Sequence, residues 1–286
     1  MQGEGNIRKL KGHLGPDDFV GYTWSEADIL DPLPGADMAP WVGQTLRIES
    51  TGAIHCTVTG KRIRKTYGDG MSFDAFQNSP LAVESIIHPE LSRIHEGIAL
   101  RDKEWEEKHH NQPHIVYLSY TSGIKVGVTR DTNMPFRWID QGAVGATVLA
   151  NTPYRQLAGL IEVALKDVFA DKTQWRKMLT SGNPEAETVA DALLEAKEEA
   201  YESCPPDYED FLDEGEDITR LAYPGMAFPD KVTSLNLDKT PVIEGRLDAI
   251  KGQYLILEGG RVFNVRRHSG YRVRWTVSRS DSRPVS

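Results

Sequence analysis

The chain has 286 residues, 39% of them hydrophobic, and carries 42 acids against 33 bases for a net charge of −9. That length can bury a sizeable core and suits about two ordinary domains of roughly 150 residues, while the acidic balance argues against indiscriminate adhesion of the whole molecule to nucleic acid or anionic lipid. No apolar run approaches the roughly 20 residues that span a bilayer, the first residues lack the apolar stretch of a secretory leader, and Cys56 and Cys204 are too few for a disulfide framework or a four-thiolate metal site, so a soluble cytoplasmic protein with no membrane partner is expected.

Residues 1–52 read as a loop-rich lead-in. Turn formers punctuate 12–21 and 31–35, and a strand is expected at 45–48 before the stop Ser50-Thr-Gly52. No chemistry is visible there. Between residues 54 and 110 the apolar side chains are sparse, and Phe73, Phe76, Ile86, Ile87 and Ile94 are the ones expected to hold the segment by packing. His88, His95, His109 and His110 lack thiolate partners or a helical i, i+4 histidine pair, so solvated or hydrogen-bonded imidazoles are expected rather than metal ligands.

The most informative stretch begins at His114. Residues 114–120 alternate and are rich in Val, Ile and Tyr, Thr121-Ser-Gly123 makes a turn, and 124–129 read as a second strand, so a hairpin is expected. Asn151-Thr-Pro153 looks like a helix start, and Leu157, Leu160, Ile161, Leu165 and Val168 recur at helical spacing through 154–170, with Glu162 inside. Downstream, 187–201 is rich in Ala, Leu and Glu and predicts a helix that Cys204-Pro-Pro206 breaks. The acidic stretch 207–217 is expected to be a solvated linker.

Residues 242–277 read as a small β module, with strands at 255–257, 261–267 and 271–277 joined by Glu258-Gly-Gly260 and His268-Ser-Gly270. In the last strand Tyr271, Val273, Trp275 and Val277 point one way, while Arg272 and Arg274 point the other. With Arg266 and Arg267 nearby, and Arg279 and Arg283 further on, this makes an arginine face able to track a phosphate backbone, although arginines on a solvated sheet face are common.

Several long strings resemble the bacterial family called domain of unknown function 2797: Lys125-Val-Gly-Val-Thr-Arg130, Arg137-Trp-Ile-Asp-Gln-Gly-Ala143, Asp171-Lys-Thr-Gln-Trp-Arg176 and Lys251-Gly-Gln-Tyr-Leu-Ile256. Relatives in that family resemble zinc-ribbon proteins, with cysteines at positions matching Cys56 and Thr59, Ser72 and Ala75, Ala82 and Ser85, and further cysteines matching Ser92, Ala99 and His110. Only Cys56 survives in this chain, so the resemblance implies that those metal sites are absent, and no zinc is expected.

The central stretch resembles the GIY-YIG nuclease superfamily: a first strand with Tyr117, a short turn, a second strand through Lys125 and Gly127, then Arg137 and a helix carrying Glu162. The resemblance implies catalytic roles. Tyr117 would be a general base or water-positioning group, Arg137 would stabilise charge on phosphoryl oxygens, and Glu162 would hold Mg2+ or Mn2+. Lys125 stands where the pattern has its second tyrosine and would be a phosphate contact or proton carrier. Each has an ordinary alternative: a core strand tyrosine, a solvated strand lysine, a surface arginine packed on Trp138, and a glutamate on the solvent face.

The fold class expected is therefore α+β, with a GIY-YIG-like mixed sheet and helices at 113–181. Before it lies a β-containing region with a degenerate zinc-ribbon-like segment at 1–112, and after it an acidic helix and linker at 182–221 and an arginine-rich antiparallel β module at 222–286. The function expected is nucleic-acid binding with metal-dependent phosphodiesterase activity. The alternative is a catalytically silent scaffold that binds a nucleotide, a small molecule or a protein partner.

Overall fold

The computed structural model describes residues 1–25, 35–169 and 173–279. Parts of four sequence readings lie outside the described residues: the turn at 31–34, the end of the helix at 170, Asp171 and Lys172 of the string that follows it, and Arg283. The protein is α+β and divides into two compact units, one built from Met1–Phe76 with Tyr223–Ser286 and the other from Gln77–Ala222. The first unit is thus assembled from both ends of the chain.

The first unit begins with β1 (Gln2–Asn6), β2 (Lys11–Leu14), β3 (Val20–Trp24), β4 (Ala36–Asp37), β5 (Thr45–His55) and β6 (Arg62–Ile63). The second contributes β7 (His114–Tyr120), β8 (Ile124–Arg130), β9 (Gly145–Thr152) and β10 (Thr219–Arg220). The chain then returns to the first unit with β11 (Thr233–Leu235), β12 (Val242–Lys251), β13 (Tyr254–Leu257), β14 (Arg261–Asn264) and β15 (Tyr271–Ser278). The helices are α1 (Phe73–Asn78), α2 (Lys103–His110), α3 (Phe136–Gln141), α4 (Arg155–Ala164), α5 (Trp175–Thr180) and α6 (Ala186–Ser203).

In the first unit the order is β1-β15-β5-β12-β13-β14-β11, with β6 added to β5. The C-terminal strands expected to stand alone share this sheet with the N-terminus, and β11 joins β14 in parallel, which makes the sheet mixed. The period-two reading of β15 matches its burial: Tyr271, Val273, Trp275 and Val277 are buried while Arg274 and Ser278 are exposed. Trp275 stacks on Trp41 with ring centroids 5.0 Å apart, and Trp24 lies 6.1 Å from Trp41. Gln253 ties the two chain ends together: its amide accepts from Leu10 N at 2.8 Å and donates to Leu10 O at 3.0 Å. Lys251 is wholly buried with its ammonium 5.4 Å from the centre of the Tyr223 ring and 5.6 Å from that of Phe228.

The second unit is built on the antiparallel sheet β10-β9-β7-β8. β7 is its centre, and six of its seven side chains are buried, as expected of a strand covered on both faces. α6 covers one face: a Cβ at Gly145 would lie 2.5 Å from Val189 and 3.1 Å from Leu193. The acidic stretch read as a linker is instead packed along this sheet. Asp213 N donates to Leu149 O at 2.9 Å, Leu212 bridges to Ala150, and Thr147 Oγ1 donates to Asp217 O at 2.9 Å. The buried ammonium of Lys197 anchors it through Asp213 Oδ2 at 3.3 Å and through Gly215 O. Acid composition alone suggests solvation; the backbone groups needed to finish the sheet edge decide otherwise.

Residues 80–96 form successive 3-10 turns, including Glu84–Ile86, Pro89–Leu91 and Ile94–Glu96. Of the apolar residues expected to hold residues 54–110, Ile94 is buried but Phe73 is 53% and Ile87 78% exposed, and Phe76 and Ile86 are exposed as well. Hydrogen bonds do more of the holding. The buried Glu106 carboxylate accepts from the N–H groups of Leu100 at 3.1 Å, Arg101 at 2.7 Å and Asp102 at 3.0 Å, and Asp102 caps α2 through Trp105 N at 2.9 Å. No helix among the described residues is long and apolar enough to cross a membrane.

Candidate active site

Tyr117 and Gly127 face each other across the β7–β8 ladder, and Ser119 faces Lys125. Directly paired residues point to the same side of a sheet, so Tyr117 and Lys125 share one face. Gly127 is required there, because a Cβ would lie 2.7 Å from the Tyr117 ring and hydroxyl. The ring fills that space, is wholly buried, and meets Trp138 of α3 edge-on at 6.0 Å. Its hydroxyl donates to Gln141 Oε1 at 3.1 Å, and Arg137 reaches the same hydroxyl. Burial pushes the phenol above its ordinary range, against the opposing pull of Arg137. A tyrosine held protonated this way is a donor that positions its neighbours rather than a base.

α4 crosses the same face and brings Glu162. The expected start at 151–153 is displaced: β9 runs through Thr152, whose hydroxyl donates to His114 O at 3.0 Å and Tyr154 O at 3.2 Å, and the helix opens at Arg155. Glu162 is half-buried, and burial raises its carboxyl above the usual carboxylate range, with Lys166, Arg155 and Lys125 pulling down and Glu90 pushing up. Glu90 sits on the 3-10 turn Pro89–Leu91, whose main chain lies against α4 at Gly159. Gln156 Nε2 donates to Glu90 O at 3.1 Å, and Glu90 Oε2 is buried without a hydrogen-bond partner. Glu90 therefore joins Glu162, although sequence reasoning passed over it.

Arg155 was also missed. It is buried at the first position of α4 and donates from Nε to Ser85 O at 2.7 Å and from an Nη to Ile86 O at 3.0 Å. Burial takes its guanidinium down to about 10, against Glu162 and with the help of Arg137 and Arg130. A cation in the first turn of a helix opposes the macrodipole, and that misfit was the signal available in the sequence.

The four expected residues Tyr117, Lys125, Arg137 and Glu162 thus belong to one electrostatic neighbourhood: Arg137 and Glu162 act on Tyr117, and Lys125 acts on Glu162. The expected arginine face lies in the first unit, where most of its charges already have partners. Arg272 and Arg274 share Glu4 at 2.8 and 3.2 Å, Arg266 pairs with Asp69 at 2.7 Å, and Arg267 is exposed.

Cys56 and most of the residues read as vacated cysteine positions gather into two hydrogen-bonded clusters, one per unit: Cys56, Thr59, Ser72 and Ala75 in the first, Ser85, Ser92 and His110 in the second. Cys56 Sγ accepts from Ser72 N at 3.2 Å; burial raises its thiol, but that bond and those from Thr59 and Val58 outweigh it and bring it down to about 7. His110 Nδ1 lies 3.4 Å from both Ser85 Oγ and Ser92 Oγ, and burial drives its imidazole down to about 3. Among the described residues no group of three or more His, Cys, Asp or Glu side chains is arranged to hold a metal ion. His95 stacks on Tyr154 at 3.9 Å and His88 lies 3.4 Å from Glu90, while Arg130 lies 2.9 Å from His109 Nδ1.

A family model described as a protein of unknown function, DUF2797, matches residues 43–273, most of both units. No curated protein and no solved structure matches the chain.

Proposed function

The chain belongs to the DUF2797 family, and on that premise we propose that it is a nucleic-acid-binding protein whose central site cleaves phosphodiesters with a divalent ion. The observation that carries the reading is the gathering of Tyr117, Lys125, Arg137 and Glu162 on one face of the β7–β8 hairpin, in the order in which a GIY-YIG-type core would supply them. Glu162 with Glu90 would hold Mg2+ or Mn2+: two carboxylates, one with an unpartnered buried oxygen, suit a hard cation that keeps most of its waters. When bound, such an ion supplies neutralisation of charge on the phosphoryl oxygens.

The chain's own residues do the rest. Arg137 donates to the non-bridging oxygens, a task suited to its planar fork. Tyr117 orients Arg137 and Gln141 from beneath and touches no substrate, since it is wholly buried. Lys125 adds positive potential on the same face. Because phosphoryl transfer depends mainly on positioning and charge, this set is sufficient for slow cleavage without a second tyrosine.

A second reading, a catalytically silent scaffold that binds a nucleotide or a partner, is favoured by the burial of both Tyr117 and Lys125. Incubation with pooled single- and double-stranded DNA and RNA, with Mg2+ or Mn2+ and with a chelator, separates the two. Ion-dependent products support cleavage; binding without products supports the scaffold.

A further inference from the structure

Beside Arg137, within the second unit, a cavity of about 240 Å3 opens whose walls include neither Tyr117 nor Glu162. Three arginines line it, Arg130, Arg137 and Arg155, with Trp105 of α2 as an aromatic residue of the wall. Among the described residues none of the three forms an ion pair with a carboxylate. Arg130 contacts the Nδ1 of His109 at 2.9 Å, and Arg155 donates two N–H groups to main-chain carbonyls. A guanidinium carries five N–H donors, so most donors of this group have no protein acceptor. His109 and His110, both in the wall, are held below the ordinary imidazole range by burial and add no charge near neutral pH.

Three like charges crowded into a half-buried space repel one another, and the carboxylates that act on Arg155, those of Glu162 and Glu90, are not part of the cavity wall. A dianion bound there would offset them. A phosphate monoester carries about −1.5 to −2 charge at pH 7 and three acceptor oxygens, matching three forked donors better than a carboxylate or an internal phosphodiester does. The volume is below the roughly 300 Å3 at which sites for drug-sized ligands begin, so it suits a phosphate with its sugar better than a large ligand. An indole at its wall is a surface on which a base stacks whatever its sequence.

We propose that this cavity seats the terminal phosphate monoester of a nucleotide or of a nucleic-acid strand, held by Arg130, Arg137 and Arg155 with the adjoining base against Trp105. The inference deepens the reading above by giving its substrate a phosphorylated end, and rests on that reading only through the shared Arg137.

Binding in the presence of a chelator, where no metal-dependent cleavage proceeds, tests it apart from catalysis. Fluorescently labelled trinucleotides of one sequence ending in a 5′-phosphate, a 3′-phosphate or hydroxyls alone are titrated by anisotropy. At least one phosphorylated form is expected to bind about tenfold more tightly than the hydroxyl form, the size of one charge-assisted hydrogen bond. Arg130→Gln is expected to erase that difference while the melting temperature is unchanged, and Arg130→Lys to restore part of it. If Arg130→Gln fails to fold, Trp105→Leu takes its place and is expected to weaken binding of the phosphorylated form.

Competition by AMP identifies a free nucleotide as the source, and absence of competition identifies a strand end; either supports the shared chemistry. Equal affinity for phosphorylated and hydroxyl trinucleotides overturns the proposal. So does inorganic phosphate competing as well as AMP, which would leave the aromatic wall without a role. Failure of the cleavage reading looks different: end-selective binding persists and no product forms when Mg2+ is restored.

Discussion

Gly159→Ala tests how the two carboxylates are brought together. An added Cβ would lie 2.2 Å from Glu90 N, 2.5 Å from Pro89 C and 2.7 Å from Pro89 Cβ. The first two are main-chain atoms, which cannot rotate out of the way, so the turn carrying Glu90 must move off α4. Overpacking of this kind costs typically about 1–3 kcal/mol, while alanine for glycine inside a helix returns about 1. With main-chain atoms as close as 2.2 Å the cost falls toward its upper end, for a net loss of up to about 2 kcal/mol, which in a unit of this size lowers the melting temperature by up to roughly 8 °C. Calorimetry or urea denaturation measures it, with Gly123→Ala as control, since a Cβ there meets nothing within 4 Å. A Gly159→Ala protein as stable as wild type, or more so, would refute the reasoning that glycine is there to let the Glu90 turn approach.

Tyr117→Phe removes a buried hydroxyl and leaves Gln141 Oε1 without that donor, an expected loss of about 1–2 kcal/mol in chemical denaturation; no loss would mean the bond does not help order the site. Lys251, brought by burial from 10.5 to about 7, binds its proton more readily in the unfolded chain, so stability is expected to rise with pH between those two values. Lys251→Met, followed at pH 7 and pH 9, is expected to flatten that rise, and an unchanged slope contradicts the assignment. Because Thr59, Ser72, Ala75, Ala82 and Ser85 offer no thiolate, we propose that the purified protein contains no stoichiometric zinc; elemental analysis finding one zinc per chain would overturn this.

Local chemistry was legible where the local pattern decides the structure. The hairpin of β7 and β8 is marked by alternation and a Ser-Gly turn, α6 by its Ala, Leu and Glu content, and β15 by an alternation that its burial repeats. β9 left no such trace, since Gly145, Ala146 and Ala150 have weak strand preference and the segment is a strand because β7 and β10 flank it. The joining of β1 to β15 spans the whole chain, and no local window contains it. The site divides the same way. Tyr117, Lys125 and Glu162 lie on elements readable from sequence, whereas Arg137 lies on the short helix α3, which no sequence pattern announced, and Glu90 reaches them only because a run of 3-10 turns folds back onto Gly159. The acidic stretch was misread because composition reports solvation preference and not which backbone groups a sheet edge lacks.

The most direct test of the account is cleavage by Glu162→Gln beside wild type, on the same pooled DNA and RNA with Mg2+ or Mn2+. The change removes the charge that would hold the ion while keeping the side chain's size. Burial already disfavours that charge in the folded chain, so the variant is expected to melt no lower than wild type. The account predicts ion-dependent product from wild type and none from the folded variant. Product at the wild-type rate from Glu162→Gln, or neither binding nor cleavage of any nucleic acid by wild type, would contradict it.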